Sequence, residues 1–199
     1  FMFFSIGLAR PQIGAKLKEH QSKGAEVMIA LDVSNSMLAQ DYSPDRLQRA
    51  KLAISRLVDK LNGDRIGLVL FAGTSFVQLP ITTDYVSAKM FLGNISTESV
   101  PVQGTAIGDA INTCIKSFSA QSENSRAIIV ITDGENHEDN PVEAAKTAAS
   151  MGISVYTIGV GSAQGQPIPM KGGLLKDSQG NIVVTKLDEA TLKEVAKAG

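Results

Sequence analysis

The sequence predicts an α/β protein: a doubly wound, mainly parallel sheet with one antiparallel edge strand and helices on both faces. Three observations carry this. Short apolar runs recur along the chain, they alternate with amphipathic helical stretches, and one pair of runs is joined by too few residues for a helical crossover. At 199 residues the chain has room for one domain with a sizeable core, which is preferred to a split into two small ones.

The elements follow in order. Phe1 to Ala9 (FMFFSIGLA) is nearly all apolar and closes at Arg10-Pro11. It is too short to cross a bilayer as a helix, which takes about 20 residues. It reads as the end of a membrane anchor, with a buried N-terminal arm as the other reading, and residues 1–24 are assigned to this anchor and a polar, basic connector. Val27 to Leu31 is continuously apolar, as expected of a strand covered on both faces. Similar runs lie at Ile66 to Phe71 and Ala127 to Ile131, and a less clean one at Ile153 to Val160.

Ser43-Pro44-Asp45 offers an N-cap, a proline at the first helical position and an acid in the first turn. Leu47, Ala50, Ile54, Leu57, Val58 and Leu61 then share one helical face, closed by Asn62-Gly63. Further helices are read at Tyr85 to Leu92, Ala106 to Phe118, Pro141 to Met151 and Asp188 to Ala198. Phe76 to Ile81 follows its predecessor after only four residues, so it is an antiparallel partner, and Pro80 suits an edge. Leu174 to Thr185 reads as a hairpin turning at Asp177 to Asn181, part of an insert near 163–185 within a domain spanning 25–199.

Composition narrows the function. Lys and Arg number 19 against 20 for Asp and Glu, and Trp is absent, so neither a basic field nor a rich stacking surface points to nucleic acid. The single cysteine, Cys114, cannot form an internal disulfide and lies on the apolar face of its helix, as a small core residue. No Gly-x-x-x-x-Gly-Lys-Ser/Thr segment is present for nucleotide phosphates.

Ligands of open parallel sheets sit beyond the carboxyl ends of the strands. Asp32-Val33-Ser34-Asn35-Ser36 follows the first buried strand, Thr132-Asp133-Gly134 follows the Ala127 to Ile131 strand, and Gly104-Thr105 precedes a helix. All three segments are expected at one edge. Asp32, Ser34, Ser36, Thr105 and Asp133 offer only oxygen, which suits a hard cation such as Mg²⁺, or Mn²⁺, and not zinc. His20 and His137 are isolated and read as surface residues. Singly, each hydroxyl is an ordinary cap or turn residue; the joint placement is what points to a site.

Asp32-x-Ser34-x-Ser36, Thr105 and Asp133-Gly134 together resemble the metal-ion-dependent adhesion site of von Willebrand factor A domains, over about Ala25 to Gly199. The resemblance implies that both Ser hydroxyls bind the ion directly, while Thr105 and the two Asp bind directly or through water. One coordination position is left for an Asp or Glu of a protein partner. Leu8-Ala9-Arg10-Pro11-Gln12, Ser43-Pro44-Asp45-Arg46-Leu47 and Asp133-Gly134-Glu135-Asn136-His137 are similar to segments of the Bat (Bacteroides aerotolerance) membrane proteins. That similarity implies an inner-membrane tether, a periplasm-facing domain, a role in stress tolerance, and other Bat-type proteins or a MoxR-type AAA+ ATPase as partners.

Three functions follow. The first is a non-enzymatic, metal-dependent binding module, with Asn35, Met37 and the Gly104 loop at the rim. The second is a Mg²⁺-dependent phosphohydrolase with Asp32 as nucleophile, although Ser34 stands where that chemistry wants a second acid. The third is a scaffold with a purely structural metal and the Ser162 to Thr185 insert as its interaction surface.

Overall fold

A computed structural model describes residues 24–119, 122, 124–136 and 139–199. The expected membrane anchor, His20 and His137 lie outside the described residues. Five strands, β1 (Glu26–Asp32), β2 (Arg65–Phe71), β3 (Ser75–Thr82), β4 (Arg126–Thr132) and β5 (Ile153–Gly159), form one sheet in the order β3-β2-β1-β4-β5. β1 pairs in parallel with both β2 and β4, β4 does so with β5, and β3 runs antiparallel to β2 at the edge, as the short connection requires.

The continuous apolar run of β1 is explained by its central position. Successive side chains of a strand point to opposite faces. Val27, Ile29 and Leu31 enter one core, built with Leu47, Ala50, Ile54 and Val58 of helix α1 (Arg46–Val58) and Ala88 and Leu92 of α2 (Tyr85–Gly93). Met28 and Ala30 enter the other, with Ile107, Ala110, Ile111 and Cys114 of α3 (Ile107–Ser117), Ala144, Ala145 and Ala148 of α4 (Pro141–Ser150) and Val195 of α5 (Glu189–Ala198). Cys114 is thus the buried core residue its pattern predicted. β5 is covered less completely: Ile153 and Val155 are buried, while Tyr156 and Ile158 on the opposite face are exposed. The interruption of its apolar run reflects an edge strand with one face only partly covered.

Both ends of α1 are corrected. α1 is capped by Asp45, not Ser43, because the Asp45 carboxylate accepts from the Gln48 amide at 2.7 Å, which puts Pro44 outside the helix. The helix also ends at Val58, where the Lys60 and Leu61 amides turn back to the Leu57 and Val58 carbonyls, so Leu57 and Leu61 are only half-buried. The expected hairpin is present in the insert, with Lys176 bridged to Ile182 and the Val183 amide on the Leu175 carbonyl at 2.9 Å, and two further strand pairs lie around it. β6 (Gln166–Pro167) pairs with β9 (Val184–Thr185), and β7 (Pro169–Met170) pairs with β8 (Gly173–Leu174). The turn expected at Asp177 to Asn181 is present, with one Asp177 oxygen accepting from the amides of Gln179 and Asn181, each at 2.9 Å.

The strand order places the site. The chain moves outward from β1 to β2 and β3, then returns to the other side of β1 as β4, so the direction of winding reverses between β1 and β4. Leu31 of β1 lies beside Ile131 of β4, which brings Asp32 and Asp133 to adjoining strand ends at this switch point.

Candidate metal centre

Asp32 is the last residue of β1 and has no exposed surface. One of its oxygens accepts from the Ser34 amide at 2.8 Å, and the other accepts from the Thr132 hydroxyl at 2.6 Å. The chain then enters a single 3₁₀ turn (Asn35–Leu38) that sets the Ser34 and Ser36 hydroxyls 2.9 Å apart, both buried. Alternation through the turn decides which side chains serve the cluster. Asn35 remains partly exposed at the rim, but Met37 is wholly buried in the core with Val33 and Leu47, so its expected place at the rim is corrected.

Asp133, also wholly buried, follows β4 directly. Gly134 lets the chain turn away. Its φ is +84°, and a Cβ there would stand 2.6 Å from the Asp188 carbonyl, so both conformation and space call for glycine. That close approach accompanies a hydrogen bond from the Asp188 amide to the Asp133 carbonyl at 2.8 Å, which seats the start of α5 on the loop.

Thr105 reaches the same edge through its neighbours. Gln103 accepts from the Asn35 amide at 3.0 Å, the Ala106 amide donates to the Ala72 carbonyl at 2.8 Å, and the Ile107 amide donates to the Asn136 side chain at 3.2 Å. The Thr105 loop is therefore bound to the Ser34–Ser36 turn on one side and to the loop after Asp133 on the other. Asp139 braces the start of α3 further, accepting from the amides of Gly108 at 3.0 Å and Asp109 at 2.6 Å.

The electrostatics favour a cation. Burial, and then the charge of Asp133, push the Asp32 carboxyl up to about 7 despite the hydrogen bonds from Ser34 and Thr132. Burial likewise raises Asp133, opposed by a hydrogen bond from Ser36 and by the Arg46 charge. Two carboxylates held apart from water beside the Ser34 and Ser36 hydroxyls form a donor set that suits a hard divalent ion, with buried Thr105 on the adjoining loop. Among the described residues no group of three or more His, Cys, Asp and Glu is placed to hold a metal, so such an ion would depend on the hydroxyls.

Several residues of the centre were given no part in it by the sequence, although Thr132 and Arg46 fall in segments that it marked. Thr132 buttresses Asp32, and Gln103 joins two loops. Arg46 has no exposed surface and donates to Asp133 at 2.9 Å, to Asp41 at 2.8 Å and to the Thr185 hydroxyl at 3.0 Å. An arginine at the start of an amphipathic helix reads as solvated, and Asp41 and Thr185 carry no local signal. Beside the cluster lies a groove of about 760 Å³, with Asn35, Leu38 and Gln103 towards the centre and Pro169 and Met170 of the insert on the far wall.

Residues 26–197 match the von Willebrand factor type A domain, and the chain belongs to that family. Within it, the chain is similar to BatB from Bacteroides thetaiotaomicron, at 57% identity and a TM-score of 0.86 over 88% of this chain and 87% of that one. An aerotolerance-related membrane protein from Bacteroides fragilis is similar at 56% identity, with the same TM-score, over 88% of each chain. A UPF0353 protein of Nocardia farcinica is 32% identical over 98% of this chain and 61% of its own length. An uncharacterized protein of Borreliella burgdorferi is 31% identical over 82% of this chain and 48% of its own. The chain therefore spans about half to three-fifths of the length of these curated relatives. Proximal thread matrix protein 1 of the mussel byssus, known with a zinc-occupied MIDAS motif, shares the fold at 23% identity and a TM-score of 0.62, over 71% of this chain and 37% of that one.

Proposed function

We propose that this domain is a metal-dependent protein-binding module, in which Asp32, Ser34, Ser36, Thr105 and Asp133 hold Mg²⁺ or Mn²⁺ and the ion captures an Asp or Glu of a partner. The observation that carries this is the convergence of Asp32, Ser34, Ser36 and Asp133 in one buried oxygen cluster at the switch point of the sheet. A bound dication would offset the repulsion between the two carboxylates and would present a Lewis-acidic position to a carboxylate from outside. Residues flanking that carboxylate would lie along the groove that begins at Asn35 and Gln103.

The phosphohydrolase reading receives less support. Both Asp32 oxygens already accept hydrogen bonds, and the side chain has no exposed surface from which to attack a phosphorus atom. The similarity to an aerotolerance-related membrane protein of Bacteroides fragilis supports a membrane-tethered setting, in which the domain is proposed to face the periplasm. Other Bat-type proteins and a MoxR-type ATPase are the partners to test first. Among the described residues no helix is long and apolar enough to cross a membrane.

Calorimetric titration with MgCl₂ and MnCl₂ tests the reading. Wild type should bind one ion, and Asp32→Ala and Asp133→Ala should each lose at least about 100-fold in affinity while keeping the helical circular dichroism. Equal affinity in both variants would remove the site. Metal-dependent turnover of a phosphate ester, abolished by Asp32→Asn, would replace the binding module with the enzyme.

A further inference from the structure

Arg46 opens α1, whose core face is already supplied by Leu47, Ala50, Ile54 and Val58. A buried guanidinium is costly unless its donors are matched. Here they are. Nε and Nη2 form a fork on Asp41, at 3.0 Å to Oδ1 and 2.8 Å to Oδ2. Nη1 donates to Asp133 Oδ2 at 2.9 Å and to the Thr185 hydroxyl at 3.0 Å, and Nη2 reaches the Thr185 carbonyl at 3.3 Å. Gly161, with φ +145°, leaves the room: a Cβ there would lie 3.0 Å from the guanidinium carbon.

The fork matters for the charge. Asp41 neutralises the guanidinium locally, so Asp133 meets an oriented donor and not an unopposed cation that would repel a metal ion. The same cluster holds both ends of the insert. At one end the Ser162 amide donates to Asp41 Oδ2 at 2.7 Å. At the other, the Thr185 hydroxyl accepts from Arg46 and faces carboxylate oxygens of Glu135 at 3.0 Å and Asp133 at 3.2 Å, while the Lys186 amide donates to Glu135 at 3.0 Å.

We infer that Arg46 is a positioning residue: it holds Oδ2 of Asp133 inward, turns Oδ1, which accepts a long bond from the Glu135 amide at 3.3 Å, towards the ion's shell, and fastens both ends of the insert to that carboxylate, so that ion occupancy and closure of the insert's base are coupled. The inference rests on the metal-binding reading. Coupling of this kind is reciprocal, so whatever loosens the base of the insert weakens the ion, and the ion tightens the base.

The test uses the full chain with MnCl₂. Arg46→Lys keeps the charge and loses the planar fork. With all five ligands intact, its Mn²⁺ affinity should fall about 10- to 100-fold. In wild type, Mn²⁺ should slow hydrogen exchange in the peptides containing the Ser162 and Lys186 amides, and in Arg46→Lys that slowing should vanish. If Arg46→Lys does not fold, Thr185→Val removes the hydroxyl's contacts with Arg46, Asp133 and Glu135 without changing charge and should weaken Mn²⁺ and reduce the slowing at Lys186. Unchanged affinity in either folded variant, or ion-induced protection equal to that of wild type, overturns the inference. Absence of Mn²⁺ binding by wild type overturns the metal-binding reading itself, and the inference with it.

Discussion

Asp32 and Asp133 stand at neighbouring strand ends and are equally buried, but they are held differently. Asp32 meets neutral donors, the Ser34 amide two residues on and the Thr132 hydroxyl of the adjoining strand. Asp133 meets a guanidinium from 87 residues away, itself bound to a threonine 139 residues from it. Neutral donors soften the cost of burying a charge without removing it; a matched ion pair removes more, at the cost of burying a second charge. Burial raises both carboxyls, but one side of the centre is held by neutral donors alone and the other is braced by an ion pair.

The comparison is broken or sharpened by measurements of decreasing effect. Asp32→Asn and Asp133→Asn should both lose most of their Mn²⁺ affinity, but their metal-free stabilities should differ. Asp32→Asn removes a carboxylate raised by burial and should stabilise by about 1 kcal/mol at pH 7.5. Asp133→Asn also removes a carboxylate raised by burial, but it weakens the charge-assisted bond from Arg46, which keeps Asp41 as its charged partner, so the two changes should nearly cancel. Urea denaturation in EDTA reads both, and equal gains would dissolve the distinction.

Protons give the second contrast. The Asp32 carboxyl is raised to about 7, while in the unfolded chain it titrates near its ordinary value of about 4. Between those values the folded state binds more protons than the unfolded one, so metal-free stability should fall as pH rises through the window. An ion must displace the proton, so Mn²⁺ affinity should rise over the same window and level off above it. Melting temperatures at pH 5 and 7.5, with EDTA and with saturating MnCl₂, check this. A metal-free profile in which Asp32→Asn falls as steeply as wild type would assign the effect to other groups.

Smaller effects separate the scaffold from the site. Gly134→Ala should cost about 1 to 3 kcal/mol, from strain at a positive φ and the contact with the Asp188 carbonyl, and should weaken Mn²⁺ by disturbing Asp133. Asp45→Ala removes the cap of α1 and should cost about 1 kcal/mol. Because Asp45 lies next to Arg46, this variant is informative: a parallel loss of Mn²⁺ affinity would show that the helix start sets the Asp133 brace, and unchanged affinity that the fork on Asp41 suffices.

Much of this was legible in the chain. Runs that stay apolar at every position mark strands with two covered faces, so β1, β2 and β4 announced a parallel sheet, and four residues between β2 and β3 left room only for an antiparallel return. Polar residues placed directly after such strands had to fall at one edge, which is why Asp32, Ser34, Ser36 and Asp133 were found together and Thr105 close by. The errors were local, within a turn: Ser43 and Asp45 compete to cap α1, α1 stops at Val58, and Met37 shares a 3₁₀ turn with Asn35.

What the sequence by itself determined, then, was the order of strands and helices and the oxygen donors at their ends, because period and position along the chain encode both. Only the tertiary structure decided that Arg46 is buried, that Asp41, Ser162 and Thr185 gather around it, and that Asp133 is braced by a charge while Asp32 meets only neutral donors. The physical reason is that a hydrogen-bonded ion pair depends on angstrom-scale meetings between segments as much as 139 residues apart. No local pattern records such a meeting.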